Sequence, residues 1–247
     1  MTEAQTADGQ PPKGLNVVLG GHGGLGQAMA DLLCRRGEPV MVLGRGRIPE
    51  VDYTRPSTVA ACADHVARQL EHNGQTLARL LVATGVLHGH LADGRAYGPE
   101  RSWQQIDPDA LAHVMQVNAI GPALVMRHFL PLLPRQGRVV AAFVSARVGS
   151  IGDNALGGWY AYRASKAALN QLVRTAAIEL ARRNREALCV ALHPGTVDTP
   201  LSRPFARQGL NVRPPDVAAA ELLAVLDGLP AGSSGQFFDQ NGLPVPW

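Results

Sequence analysis

Aromatic residues are scarce: they make up 5% of the chain, and tryptophan occurs three times. The arginines are scattered and have no aromatics between them, which argues against a nucleic-acid surface. Cysteine is almost missing. Cys34, Cys62 and Cys189 lie far apart with no CxxC pair, so no disulfide framework is expected and a reducing compartment is. No long apolar run is present; the longest, "VVAAFV" at 139–144, is far too short to cross a bilayer. The polar, acid-bearing start "MTEAQTADGQPPKG" has no apolar signal segment, so residues 1–13 are expected to form a loose tail. Charge of either sign is nearly balanced, at a net +3. These absences lead to the expectation of a cytoplasmic protein acting on a small molecule, with neither nucleic acid nor membrane as partner.

What is abundant is glycine, with 27 residues, and apolar side chains at 46% of a 247-residue chain. That length suits one large α/β domain, expected over 14–247. Short apolar runs read as buried strands at 15–20, 39–44, 78–85, 137–145 and 187–195, with briefer strands at 50–52 and 235–239. Helical periodicity covers 25–37, 57–72, 109–133, 158–183 and 214–228, with Pro122 a candidate bend in the third of these and Asp216 a start signal for the last. Strands alternating with helices imply parallel strands and right-handed crossovers. The expected fold is therefore a Rossmann-type doubly wound sheet of seven parallel strands with helices on both faces. Ligands of such sheets bind beyond the carboxyl ends of the strands.

"GGHGGLG" (20–26) stands between the first strand and the first helix. It fits GxGxxG through Gly21, Gly23 and Gly26, and GxxxGxG through Gly20, Gly24 and Gly26; Leu25 belongs to the same loop. Glycines there allow a tight turn and a close approach of backbone to a pyrophosphate, onto which the next helix aims its free N–H groups. An NAD site has an acid after the second strand, for the ribose hydroxyls. This chain has "VLGRGR" (42–47) instead, with Arg45 and Arg47. Guanidinium suits a ribose 2′-phosphate, so NADP(H) is favoured over NAD(H).

"WYAYRASKAALNQLV" (159–173) sets Tyr162 one helical turn before Lys166. Tyr160 faces Ala164 at the same spacing and is the weaker base. A free phenol has a pKa near 10, and a neighbouring ammonium favours the phenolate. Tyr162 is thereby the expected general acid/base for a carbonyl or alcohol, with the hydride chemistry left to the cofactor.

With the glycine loop, Tyr162-x-x-x-Lys166 and "HPGTVDT" (193–199) in this order, the chain resembles the short-chain dehydrogenase/reductase family. The likeness is to its non-extended branch and its C-factor-like and carbonyl-reductase-like members, from about Leu15 to Trp247. The resemblance implies that Tyr162 gives or takes the proton. Lys166 lowers its pKa and holds the nicotinamide ribose, and Asn118 interrupts a helix to hold a relay water. It implies that Pro194, Gly195, Val197 and Thr199 contact the carboxamide, that Asp52 contacts the adenine, and that Gly85 keeps its backbone role. It also implies a homodimer or homotetramer built on the helices bearing Asn118 and Tyr162. Two departures stand out. The family's NNAG reads "VATG" (82–85), without the side chains that brace the sheet. The paired serines after the fifth strand read Ser145–Ala146, so Ser145 is expected to orient the substrate oxygen, with Ser150 the other candidate. The segment 199–215, carrying Arg203, Arg207 and Arg213, is the expected lid. An NADP-dependent carbonyl reductase or alcohol dehydrogenase is the first functional reading, and a cofactor-binding regulator or signalling protein with little turnover the second.

Overall fold

Leu15–Leu19 (β1) buries all five of its residues, as a strand covered on both faces must. The computed structural model describes residues 14–21, 23–205 and 211–247; the expected tail over 1–13 and Arg207 of the 199–215 segment lie outside the described residues. After β1 come α1 (Gly24–Arg35), β2 (Val40–Leu43), α2 (Pro56–Asn73) and β3 (Leu77–Val82). A small antiparallel ribbon follows, β4 (Gly89–His90) with β5 (Ala96–Tyr97), then α3 (Pro108–Met115) and α4 (Gly121–Phe129). β6 (Val139–Val144), α5 (Tyr160–Arg183) and β7 (Ala187–Leu192) lead to a second small pair, β8 (Thr196–Val197) with β9 (Val212–Arg213). α6 (Pro215–Gly228) and β10 (Phe237–Phe238) complete the order.

The main sheet runs β10-β7-β6-β3-β1-β2 with every pairing parallel. It has six strands among the described residues, where seven were expected. The expected strand at 50–52 makes one parallel bridge, Glu50 to Gly44, and Val51 N–H donates to Gly44 O at 3.2 Å. Only five residues separate Gly44 from Glu50, and a parallel neighbour in the same sheet needs a crossover of about a dozen or more.

Alternation along the strands divides the core in two. Val17, Leu19, Leu80, Ala141 and Phe143 face α2, α4 and α5, while Val18, Leu81, Val140 and Val190 face α1 and α6. At the amino ends of the strands, fully buried Arg79 is held by Glu38, by Asp227 at 2.8 Å and by Asn16 at 2.9 Å. This network ties β1, β3 and the end of α6 together, away from the carboxyl ends where a ligand would bind.

The helix expected over 109–133 is broken. α3 passes into a wide turn, Gln116–Ile120, in which Gly121 N–H reaches back five residues to Gln116 O; α4 then starts with Pro122 in its first turn. Proline has no N–H and its ring clashes with the carbonyl four residues back, so the widened turn relieves what an unbroken helix would strain. Gly121 itself is pressed against Tyr53, whose ring would lie 2.2 Å from an added Cβ.

Candidate active site

The first chain reversal of the sheet falls between β1 and β3, and the glycine loop fills it. Gly20 has φ +97°, and an added Cβ would meet the Ala83 carbonyl carbon at 2.8 Å. Gly23 N–H donates to Gly20 O at 2.9 Å, and a Cβ on Gly26 would lie 2.5 Å from the same oxygen. Both readings of the motif therefore use residues that admit no side chain. α1 opens with no capping side chain and no acid in its first turn, leaving a bare positive dipole end. A groove of about 510 Å³ runs beside this loop, lined in part by Gly21, Gly23, Gly24, Pro215 and Asp216 and not by Tyr162.

Past β2, Arg45 is exposed, while Arg47 leans back on α1 with Nη2 3.4 Å from Gln27 Oε1 and its buried Nε unpartnered. The nearby acids are otherwise engaged. Asp52 accepts from Thr54 N–H at 2.9 Å and from Arg55 Nε at 2.7 Å, and Arg55 also holds Glu50. Arg55 and Thr54 pull the Asp52 carboxyl down to about 2. No ion pair engages Arg45 or Arg47 among the described residues.

On α5, Tyr162 and Lys166 are both buried, at 8% and 2% exposure. Lys166 Nζ donates to Val144 O at the end of β6 at 3.0 Å and lies 5.7 Å from the Tyr162 ring centre. A Cβ on Gly85 would be 3.4 Å from both Lys166 Nζ and Asn118 Oδ1, so the ends of β3 and β6 and the turn before α4 converge here. Burial pushes the Tyr162 phenol up and the Lys166 ammonium down to about 8. In the chain alone, desolvation outweighs the ammonium's pull on the phenol, opposite to the lowering expected from spacing.

Asn118 lies in the widened turn, and both N–H donors of its amide are used. Oδ1 accepts Val86 N–H at 2.8 Å; Nδ2 donates to Val86 O at 2.9 Å and to Ser165 Oγ at 3.1 Å. It staples the loop after β3 to α5. Ser145 donates to Asn170 Oδ1 at 2.6 Å, a buried bond directed into α5. Ser150 is buried beside Trp247 O at 3.4 Å and accepts Asp153 N–H at 3.1 Å. Of the "VATG" segment, Thr84 Oγ1 bonds the Tyr53 hydroxyl at 3.0 Å, a brace of a different kind from the family's asparagines. After β7, Gly195 has φ +72°, and Thr199 touches the glycine loop: a Cβ on Gly24 would lie 3.0 Å from its methyl group. Pro194 lies between β7 and β8, and Val197 is the second residue of β8.

Four features were not foreseen. Trp159 is the one non-glycine residue with positive φ among the described residues, at +57°, and it leads into α5 directly. Its N–H donates to Glu100 O at 2.6 Å, and the buried Glu100 carboxylate takes Ala161 N–H at 3.2 Å. His193 is pushed down to about 4, chiefly by burial and then by Arg147, and its buried Nδ1 is unpartnered. Asn170 takes the Ser145 hydroxyl. Gly157–Gly158 before Trp159 is the one local signal that could have marked the left-handed turn; the rest are tertiary.

A family model described as short chain dehydrogenase matches residues 15–209. The chain belongs to the short-chain dehydrogenase family and is an oxidoreductase of that class. It is 42% identical over 143 residues to the C-signal protein of Myxococcus xanthus, covering 58% of this chain and 81% of that one. An NADPH-bound carbonyl reductase from chicken fatty liver superposes with a TM-score of 0.81 at 23% identity, over 98% of this chain and 97% of that one. A Burkholderia multivorans structure of the short-chain dehydrogenase/reductase type, with bound NADP, is 28% identical with a TM-score of 0.75, covering 96% of this chain and all of that one.

Proposed function

We propose that the chain is an NADP(H)-dependent carbonyl reductase, interconverting a small carbonyl compound and its alcohol with Tyr162 as general acid/base. The observation that carries this is the convergence of buried Tyr162, Lys166, Asn118 and Gly85 at the carboxyl ends of β3 and β6, next to a glycine loop closed to side chains. The residues fit a dinucleotide: the uncapped start of α1 suits its pyrophosphate, and the guanidiniums of Arg45 and Arg47, which make no ion pair among the described residues, suit a 2′-phosphate. NADP bound to a relative at 28% identity supports the same choice. When bound, the cofactor supplies or accepts the hydride.

The chain's own residues manage the proton. A phenol raised by burial stays protonated at neutral pH, so Tyr162 is set to donate to a carbonyl oxygen rather than to abstract. Lys166 is anchored on Val144 O and keeps two further donors for a ribose hydroxyl. Pro194, Gly195, Val197 and Thr199 provide the backbone and hydroxyl for a carboxamide. Asp52 can reach an adenine only through oxygens shared with Thr54 and Arg55. Ser145 orients substrate only if its hydroxyl leaves Asn170. Exposed Ile120 and Ile178, near Asn118 and on α5, support a homo-oligomer built on these helices.

The test is NADPH absorbance with a panel of aldehydes and ketones. Tyr162→Phe is expected to lose roughly 10²–10⁴-fold in kcat while still binding NADPH. Unchanged turnover in that variant refutes the assignment. A second reading, a cofactor-binding signalling protein with little turnover, has Ala146 and the likeness to C-signal in its favour. It predicts tight NADPH binding and no turnover of any carbonyl.

A further inference from the structure

The segment over 199–215 is arginine-rich in sequence, which reads first as solvated surface charge and second as a site for a polar or acidic substrate. The structure redistributes those charges. Arg203 Nε pairs with Asp198 at 2.6 Å, and Arg213 Nε pairs with Glu221 at 3.0 Å. Aromatic rings from three separate segments gather instead. Phe205 lies 5.4 Å from Trp159 and 5.5 Å from His88, ring centre to ring centre, in edge-to-face contact. Trp159 makes the same kind of contact with Tyr162 at 6.2 Å. His88 Nε2 donates to Pro200 O at 3.2 Å, which joins the loop after β3 to the segment that carries Phe205.

Trp159, Phe205 and His88 are each half-buried, whereas Tyr162 is buried. An aromatic wall in a chain poor in aromatics thus stands against the expected proton donor. Trp159 holds its place at a backbone cost, because a bulky side chain at φ +57° is strained. Strain of this kind persists where surrounding structure over-determines it. Here Trp159 N–H is fixed by Glu100 O, and Arg163 ties down the carbonyls of Gly157 and Gly158 at 3.2 and 2.9 Å.

Resting on the reductase reading, we infer that Trp159 and Phe205, with His88 behind them, select a carbonyl substrate whose group next to the carbonyl is a flat, uncharged aromatic ring. Edge and face contacts of two rings reward a planar π-surface, and a saturated ring of the same size gains only burial. With Arg203 and Arg213 already paired, a substrate carboxylate finds no free cation in these two side chains.

The experiment measures kcat/KM with NADPH for benzaldehyde against cyclohexanecarbaldehyde and for acetophenone against cyclohexyl methyl ketone. It uses wild type, Trp159→Gly and Phe205→Leu, each checked for NADPH binding. Glycine accepts φ +57° without strain, so Trp159→Gly keeps the backbone. The aryl-to-cyclohexyl ratio is expected to fall roughly fivefold to tenfold in each variant, the size of an aromatic pair. A ratio that stays within twofold of wild type in both variants overturns the inference and leaves the reductase reading standing. So does a tenfold gain from adding a carboxylate to the ring that is lost in Arg203→Ala or Arg213→Ala. Absence of turnover with every carbonyl, in wild type that binds NADPH, overturns both.

Discussion

Lys166→Met should make the cofactor-free protein more stable. The ammonium is 2% exposed, and burial brings it from the ordinary 10.5 to about 8. At pH 7 the folded chain therefore carries a charge that costs ~3 kcal/mol relative to the unfolded chain. Methionine occupies much the same channel without the charge. What is lost is the 3.0 Å bond to Val144 O, and an unsatisfied carbonyl costs about 1–2 kcal/mol. The net gain is about 1–2 kcal/mol, and a chain of this size shifts in Tm by about 2–4 °C per kcal/mol. The variant should melt some 2–8 °C above wild type at pH 7.

The sign of the pH dependence makes this prediction hard to satisfy by accident. Between pH 8 and 10.5 the unfolded lysine holds its proton and the folded one has released it. Wild-type stability therefore rises with pH across that window, because the unfolded state binds more protons. The advantage of Lys166→Met is full below pH 8, shrinks through the window and ends as a deficit equal to the lost hydrogen bond. Thermal melts of both cofactor-free proteins at pH 7, 9 and 10.5 read this directly, since groups common to both cancel. A variant no more stable than wild type at pH 7, or a difference that does not move with pH, refutes the reasoning.

Arg79→Leu takes the buried cation from Glu38 and leaves Asp227 only its pairing with Arg36 at 3.2 Å, at a cost of ~3 kcal/mol in urea denaturation; kcat should not change. His193 is held near 4 in the folded chain against an ordinary 6.5, so the folded state binds fewer protons between those values and stability falls as pH drops from 6.5 to 4. That loss is up to about 3 kcal/mol in wild type, and the same pH series on His193→Asn should be flatter. Arg45→Ala and Arg47→Ala should each lower the NADP-to-NAD affinity ratio by about tenfold or more, the worth of a charged hydrogen bond; titration by cofactor fluorescence checks it, and an unchanged ratio removes that arginine from the site.

The sheet and its crossovers were legible because strands covered on both faces leave short unbroken apolar runs, and five such runs match β1, β2, β3, β6 and β7. The glycine loop was legible because its requirement is local: no side chain fits at Gly20 or Gly26, whatever the rest of the fold does. The seventh strand was over-read, since "EVD" has one strand-forming residue, Val51, and too little chain before it for a parallel neighbour. Tyr162 and Lys166 were singled out by helical spacing together with the glycine loop and the order of the motifs. Their charge balance was not, because spacing says nothing of burial, and burial dominates both groups. The aromatic wall was hidden for a similar reason. His88, Trp159 and Phe205 come from three loops, and an aromatic content of 5% is compatible with rings scattered or rings together.

The serine position shows how one residue decides such a reading. Ser145 N–H extends the β6 ladder to Leu192 O at 2.7 Å, and Ala146 is extended at φ −147° and ψ 144°. Neighbours on an extended chain point to opposite sides. With Ser145 directed at Asn170, the side chain of Ala146 points away from α5's packed face. A serine in the first place therefore serves the substrate side only when its hydroxyl leaves Asn170 and turns toward that side. On the proposed reading, with the Ser145 hydroxyl held by Asn170, Tyr162 is the donor beside the substrate oxygen. On that reading a site with one donor gains more from holding the rest of its substrate firmly, and among the described residues the aromatic wall beside Tyr162 is placed to do that.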